Sequence, residues 1–354
     1  MVGPALGCGI NSAAIYDRNG EQELLPLPNA SVVSWGRRLN DISAGAVTIK
    51  ADDCTPELDN IHASAHSLVV HRRTGPDAGK RVWEGTIRRK RDLRNALVIE
   101  AKDVLGLTEK RMIRTSRKLQ DVVVNDELLW SVQRAFALDD PNVLTFVQSL
   151  GPAGDLVDRD VAAWGAKHSE DISNLAGIGG RYTVIGRSIV LFADSHTLGR
   201  TPVLSPENHL LADVEIIEDG DLLLTAVTSR DDNNRRGSVG GVDPFYGLVE
   251  DVVSPGPGKH SQAALIRYAQ RVLDQSYPAP VQLDIPDGAT LRQDAPFPIE
   301  LLVPGIMVPV ETTTATGRTL QMTAVLASLD VTQTGNADEV VTITLVPISQ
   351  AVLA

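Results

Sequence analysis

The feature that most constrains this chain is an alternation of aliphatic and polar residues, with a period of two, at both of its ends. In AVTIKAD, Val47 and Ile49 alternate with Thr48 and Lys50. In SLVVHRR, Leu68 and Val70 share a face, and Trp83 and Ile87 do so in RVWEGTIRR. ALVIEAKD sets Leu97, Ile99 and Ala101 against Val98, Glu100 and Lys102. Successive strand side chains point to opposite faces, so the pattern predicts half-buried strands with one wet face. Turn residues part them at Arg18-Asn19-Gly20, Thr74-Gly75-Pro76-Asp77 and Asp92-Leu93-Arg94-Asn95. Short strands at this spacing predict an antiparallel sandwich or small barrel over residues 12–102, rather than βαβ units. The same texture returns after Val281 in IELLVPG, IMVPVETTT, RTLQMTAVLASLDVT and DEVVTITLVPIS, with a turn at Thr334-Gly335-Asn336. In the last of these, Val341, Ile343 and Leu345 face one way and Thr342 and Thr344 the other. With aromatics at 4%, both cores must be built from Val, Leu, Ile and Ala.

Between the ends the period changes. Asn125 is placed to cap a helix with Asp126 and Glu127 in its first turn and Leu128, Leu129, Val132 and Phe136 at helical spacing, stopping before Asp139-Asp140-Pro141. A second short helix is expected over Val143 to Leu150, a third around Ser169 to Leu175, and a strand from Tyr182 to Phe192. Glu218-Asp219-Gly220-Asp221 between VEII and LLLTAV predicts a hairpin, because Asp-Gly supplies the left-handed positions of a type I′ turn. Residues 229–260, rich in Gly, Asp and Asn, predict a long exposed loop region around one short strand. Ser261 is placed to cap a helix with Ala264, Leu265, Tyr268, Val272 and Leu273 as its apolar stripe, ending near Tyr277-Pro278. The expected class is α+β, mainly β: residues 1–107, a mixed α/β segment 108–258, and residues 259–354 with a helix leading into strands. The two ends share no alignable repeat, and 354 residues suit about two or three domains.

Charge narrows the function. With 33 Lys+Arg against 45 Asp+Glu the net charge is −12, which argues against a general nucleic-acid-coating protein, whose binding rests on phosphate neutralisation. From Arg72 to Lys118, however, fifteen basic residues face six acidic ones, a net +9 that leaves −21 for the rest. That stretch reads either as the solvated face of a hairpin or as a docking surface for an acidic neighbour or nucleic acid. Two cysteines, Cys8 and Cys54, make no disulfide framework and no CxxC pair. The first residues lack a basic region followed by a sustained apolar one, so no signal peptide is expected, and no window approaches 18 consecutive apolar residues. Synthesis and first assembly in the cytoplasm, without stable membrane insertion, are expected.

Motifs that could carry chemistry fail on spacing. Gly256-Pro257-Gly258-Lys259-His260-Ser261 sits between a Val-rich strand and a helix, but lacks four residues between its glycines and a Ser or Thr straight after Lys, so it reads as a helix lead-in. Gly177-Ile178-Gly179-Gly180 has no strand directly before it and reads as a turn. His62, His66 and His71 lie near a strand entry without a clustered further ligand. Asp219 and Asp221, or Asp231 and Asp232, read as turn aspartates, since the twelve-residue ligand spacing of a calcium loop is absent. No GxSxG or HExxH occurs, and aromatics are too sparse for sugar platforms beside a carboxylate pair. No catalytic, cofactor-binding or metal-binding residue is therefore assigned, and no cofactor is expected.

The order of segments carries a resemblance. Trp35-Gly36-Arg37-Arg38-Leu39-Asn40-Asp41-Ile42-Ser43 leading into AVTIKADDC, then Arg81-Val82-Trp83-Glu84-Gly85-Thr86-Ile87, Ile99-Glu100-Ala101-Lys102-Asp103 and Glu109-Lys110-Arg111-Met112-Ile113, resembles the minor tail proteins of actinobacterial siphophages. Those are similar to the baseplate hub, or tail-associated protein, of long-tailed phages. A helix ending in Pro278-Ala279-Pro280, Leu302-Val303-Pro304-Gly305 entering a strand, and the final VVTITLVPIS agree, so the resemblance spans nearly the whole chain in order. It implies a structural virion part and not an enzyme: two tube-like antiparallel β-barrel domains, 1–107 and 259–354, flank the mixed α/β domain 108–258. It further implies a homotrimer whose six barrels surround or close a DNA channel and seat a threefold tip on a sixfold tail ring. Implied partners are the distal tail protein ring, the tape measure protein and other tail-tip or fibre proteins, with DNA passing unbound during genome ejection. Host attachment and a virion location at the tail tip follow from the same resemblance. A trimer would carry a charge of about −36, suited to a conduit if the acids line the lumen, with Arg88, Arg89, Lys90 and Arg91 outside it. Since the chain ends at Ala354, soon after its last strand, no lysin-like extension is expected. The competing reading is a cell-wall-degrading or glycan-binding tip protein with its site in residues 229–260; a weaker one is an adhesion module unrelated to viruses.

Overall fold

A computed structural model describes residues 9–74, 79–137, 146–151, 156–255, 261–279, 281–348 and 352–353. The N-terminal alternation forms seven strands: β1 (Gly9–Tyr16), β2 (Glu23–Leu27), β3 (Ala30–Arg38), β4 (Ala44–Lys50), β5 (Ser67–Thr74), β6 (Lys80–Leu93) and β7 (Ala96–Asp103). The predicted faces hold. Val47, Ile49, Leu68, Val70, Trp83, Ile87, Leu97, Ile99 and Ala101 all enter one core, while Thr48, Val98, Glu100 and Lys102 do not. Gly20 has φ +63°, as the turn at Arg18-Asn19-Gly20 requires. The turn read at residues 75–77 lies outside the described residues, as does Cys8.

The middle of the chain begins with a 3₁₀ segment, Val104–Lys110, and then β8 (Arg117–Val123), α1 (Val124–Phe136), β9 (Phe146–Leu150), β10 (Leu156–Val161), α2 (His168–Gly177), β11 (Gly180–Ile185) and β12 (Ser188–Ala193). Helix α1 starts a turn's edge earlier than its sequence cap: Asn125 is buried inside it, and Val124, Leu128 and Val132 pack on Ile172 and Leu175 of α2 and on Tyr182, Val184, Ile189 and Leu191. Two expectations are corrected. The helix placed over Val143 to Leu150 is a strand at its described end, because Phe146–Leu150 pairs in parallel with β12 and the sheet's ladder overrides local helical spacing. The single strand Tyr182 to Phe192 is a hairpin reversing at Gly186, φ +60°.

A short helix, α3 (Pro206–His209), precedes β13 (Glu215–Glu218), β14 (Ala226–Arg230), β15 (Arg236–Gly240), β16 (Glu250–Val253) and α4 (Gln262–Ser276). The hairpin expected at Asp219-Gly220 does not form. β13 pairs instead with β17 (Val281–Asp284), and Asp219 accepts from the Asp221 amide at 2.9 Å to cap a 3₁₀ turn. Residues 229–255 are also more ordered than a loop: β15, β14 and β16 make a three-stranded sheet. Helix α4 packs on it through Leu265 and Ala269, and Gly237 admits its backbone, since a Cβ there would lie 2.7 Å from the Ile266 nitrogen. Ser261 caps α4, its Oγ accepting from the Ala264 amide at 3.2 Å.

The C-terminal strands are β18 (Ala289–Thr290), β19 (Met307–Thr313), β20 (Thr319–Thr334), β21 (Val340–Pro347) and β22 (Val352–Leu353). IELLVPG is not a strand but a 3₁₀ turn, Ile299–Leu301, and a bend at Gly305, φ +97°. Twelve strands join in one antiparallel sheet of order β18-β21-β20-β3-β4-β7-β6-β5-β1-β2, with β19 and β22 also on β20. The two β-rich ends therefore meet edge to edge at β3 and β20, from Arg38 opposite Ser328 to Val32 opposite Thr334. One core underlies both, with Ile15, Trp35 and Trp83 from one end and Leu326, Leu329 and Ile343 from the other. The chain is mainly β with few helices.

Candidate functional site

The seam between β3 and β20 is where residues far apart in sequence converge. Asn11, Arg37, Arg72, Gln333 and Glu339 each continue the inward phase of its strand, following Ala13 and Ile15, Val33 and Trp35, Leu68 and Val70, Leu329 and Val331, and Val341 and Ile343. All five are buried. A buried polar group must find partners, and these find each other. Asn11 donates its amide to Gln333 Oε1 at 2.6 Å and Nδ2 to Glu339 Oε2 at 3.0 Å, while its Oδ1 accepts from Trp35 Nε1 at 3.1 Å. Gln333 Nε2 donates to the Ala337 carbonyl at 2.9 Å. Arg72 Nε donates to both Glu339 oxygens, at 3.1 and 3.0 Å, its Nη2 also pairs with Glu339, and Nη1 reaches Glu300 at 3.0 Å. Burial works against the Arg72 charge, but Glu339 and then Glu300 outweigh it and hold the guanidinium above its usual pKa. Arg37 spans the interior to the Val82 and Leu302 carbonyls at 3.0 and 3.2 Å, and burial lowers it to about 10 against the pull of Glu300.

Two further clusters hold the middle segment to this frame. Asp103 closes β7: Oδ2 accepts from the Ser43 amide at 2.6 Å and its hydroxyl at 2.7 Å, Oδ1 accepts from the Leu105 amide at 3.0 Å, and Ser43 Oγ accepts from Trp83 Nε1 at 3.0 Å. Burial pushes the Asp103 carboxyl up to about 6 against the downward pull of those bonds. At the β3 end, Asn40, φ +58°, donates its amide to the Tyr182 carbonyl and accepts the Tyr182 amide on Oδ1, both at 2.9 Å. Thr183 Oγ1 donates to the Arg38 carbonyl at 3.1 Å. Within the middle segment, buried Glu127 pairs with Arg117 at 2.6 Å and Arg159 at 3.4 Å, and Arg159 with Asp171 at 2.6 Å, tying α1, α2, β8 and β10 together.

The motifs weighed for chemistry fall elsewhere. Gly256 to His260 lie outside the described residues. Gly177 to Gly180 form the α2–β11 turn, where a Cβ on Gly180 would collide with Leu128 Cδ1. His62 and His66 stack at 6.0 Å, the His62 amide donating to His66 Nδ1, while His71 lies against Tyr16. Among the described residues no group of three His, Cys, Asp or Glu is placed to hold a metal ion. Asp231 accepts from the Asn233 and Arg235 amides at 3.0 and 2.8 Å in the β14–β15 turn. Two small cavities, one lined by Arg18, Glu84 and Arg187 and one by Leu204, Phe297 and Leu326, offer ≈ 10 Å³ each, about one water's room. Of the basic stretch, Arg72 is buried in the seam, Arg89 and Arg91 stand exposed on the β6–β7 hairpin beside Glu100, and Lys90 donates to the Leu58 carbonyl at 2.6 Å. Cys54 is exposed, and no described helix is long and apolar enough to cross a membrane.

The fold is shared with proteins of known structure. A tail protein from Neisseria meningitidis superposes with a TM-score of 0.60 at 14% identity, over 95% of this chain and 96% of that one. The 43 kDa tail protein of prophage MuSo2 from Shewanella oneidensis gives 0.61 at 12%, over 95% and 97%. A prophage tail protein from Listeria monocytogenes gives 0.55 at 11%, over 94% of each chain. The chain thus has the fold of phage tail proteins. No family model and no curated protein matches its sequence.

Proposed function

We propose that this chain is a structural component of a phage tail, and more narrowly the baseplate hub at the tip of a siphophage tail. The observation that carries the reading is the β3–β20 seam. Two β-rich ends are laterally paired and locked by buried polar residues, within a fold that tail proteins share over nearly their full length. In the proposed assembly each chain presents its two ends, residues 1–107 and 259–354, as two tube-like domains beside a middle domain of 108–258. Three chains then form a ring of six such units that adapts a sixfold tail to a threefold tip around the DNA path. Edge strands hidden by neighbours would otherwise invite aggregation, which supports an assembled state. The distal tail ring, the tape measure protein and fibre proteins are the proposed neighbours, and an actinobacterial host rests on the sequence resemblance alone.

The test is the solution mass of the purified chain together with negative-stain imaging. The hub reading expects three times the 38.0 kDa chain mass and a ring with a central opening. A monomer at every concentration up to about 100 μM would refute it, since an assembly of this kind requires self-association. A peptidoglycan-release assay separates the enzyme alternative: reproducible turnover would favour a cell-wall-degrading tip protein.

A further inference from the structure

Two apolar patches, on opposite sides of the charge balance, remain on the surface after the fold is complete. The first is the loop between β15 and β16. Phe245 is 86% exposed and Val242 75%, yet neither is on a slack loop. Asp243 Oδ1 accepts from the Phe245 and Tyr246 amides at 2.7 and 2.8 Å, Oδ2 accepts from the Tyr277 hydroxyl at 2.6 Å, and Asp243 and Gly247 exchange backbone bonds at 2.8 and 2.9 Å. Tyr246 packs edge-on against both Phe245, at 4.8 Å, and Tyr277, at 6.0 Å. An aromatic knob held this way loses little entropy when a partner covers it. In sequence on either side of it, residues 241–255 hold three acidic side chains and no basic one, with Glu250 and Asp251 directly after the loop.

The second patch is Trp164, 61% exposed at φ +63°, a backbone conformation that bulky residues rarely adopt. It is fixed by its amide donating to the Ile113 carbonyl at 2.7 Å, and the Arg114 guanidinium lies over its ring at 5.4 Å. Residues 109–118 carry five basic side chains and one acidic, of which Arg117 pairs with Glu127 and Lys118 with Asp160. Trp and Arg are the side chains that most often carry binding energy, and here they are stacked and preformed.

From these two patches we infer that a second copy of this chain covers them: the Phe245 knob of one copy seats on the Trp164–Arg114 platform of the next. Two different, charge-complementary patches on one chain make a head-to-tail contact, which closes into a ring when the rotation allows. The inference rests on the self-associating reading above and assigns it a contact. Glu250 and Asp251 would then meet Arg114, while Phe245 covers the indole.

The test is a charge exchange read by sedimentation. Phe245→Ala should weaken self-association by about thirtyfold or more, the scale of a hot-spot residue. Arg114→Glu alone and Glu250→Lys with Asp251→Lys should each leave monomer under conditions where the unaltered chain assembles. In an equimolar mixture opposite charges face each other wherever unlike variants meet, at up to two of the three contacts of a threefold ring, so the mixture should associate where each variant alone stays monomeric. All three sites are exposed, so unchanged circular dichroism and melting are expected. Assembly of every variant like the unaltered chain would overturn this contact while leaving the self-associating reading standing, and so would a mixture that stays monomeric. An unaltered chain that never associates would overturn both.

Discussion

Replacing Glu339 by Gln tests whether the buried seam holds the two β-rich ends together. The carboxylate takes three hydrogen bonds from two Arg72 nitrogens, Nε and Nη2, and one from Asn11, and both Arg72 and Glu339 are almost wholly buried. Gln keeps one acceptor oxygen and turns an NH₂ toward donors that then lack a partner. Removing one member of a buried ion pair costs about 3–5 kcal/mol, because a charge stays behind without its compensation. Glu300 remains at 3.0 Å from Arg72 but with a one-third exposed side chain, so it compensates only in part and the low end, about 3 kcal/mol, applies. Local opening at the seam is read by native-state hydrogen exchange of the β20 segment from Ser328 to Thr334, alternate amides of which face β3. At ~1.4 kcal/mol per decade, a loss of 3 kcal/mol speeds exchange by about two orders of magnitude. A double-mutant cycle with Arg72→Met should show a coupling of about 2 kcal/mol. Exchange accelerated less than about tenfold, or strictly additive single effects, would show that the apolar core alone joins the ends and that the polar cluster is incidental.

The remaining expectations probe the elements around the seam. Because the folded pKa of Asp103 is raised to about 6, above the roughly 3.9 of an unfolded Asp, the fold binds its proton more tightly. Its contribution is fully present below about pH 4 and is lost as pH rises through 6, on the order of 3 kcal/mol. Denaturation of Asp103→Asn minus that of the unaltered chain should show this slope between pH 4 and 6, and equal slopes would refute it. Gly45→Ala would set a Cβ 2.6 Å from the Trp83 ring, and Gly85→Ala would collide with the same ring and the Lys102 carbonyl. Overpacking should cost each about 1–3 kcal/mol in thermal or urea unfolding. At Asn40, φ +58°, Gly and Ala both remove the acceptor of the Tyr182 amide, but Ala should be less stable than Gly by about 1–2 kcal/mol, and equal melting of the two variants would contradict a left-handed requirement there.

What the sequence made legible follows from range. The wet and dry faces of β4, β7 and β21, the Ser261 cap and the apolar faces of α1 and α4 depend on residues within a few positions of each other, and all appear where the pattern puts them. Failures came where a distant partner decided. Phe146–Leu150 became a strand because β12 offered a ladder, and Asp219-Gly220 made no hairpin because β13 found β17 rather than the following segment. The head of the seam was partly readable. Asn11, Arg72, Gln333 and Glu339 each sit at an inward position of a period-two run, where a polar residue is an anomaly that needs a partner. That the four are linked across 267 to 328 residues is a fact of topology that no local pattern contains.

The same four residues explain why the ends pair in one register only. A slip of one residue between β3 and β20 would carry Leu329 and Val331 to the wet face, which burial already forbids. A slip of two would keep every aliphatic side chain inside and cost the apolar core far less. It would, however, draw Gln333 away from the Asn11 amide and strand Arg72 and Glu339 with mismatched partners in the interior, a penalty of several kcal/mol for each uncompensated charge. The aliphatic alternation thus chooses which face is buried, and the polar cluster chooses among the registers that bury it. On this argument a seam variant with Asn11, Arg72, Gln333 and Glu339 all replaced by apolar residues would still bury its core while losing the unique β3–β20 register. Disulfide trapping of the pairs Val32–Thr334 and Val32–Thr332, in separate Cys variants, distinguishes the cases: only the first should close in the unaltered background, and both in the apolar one.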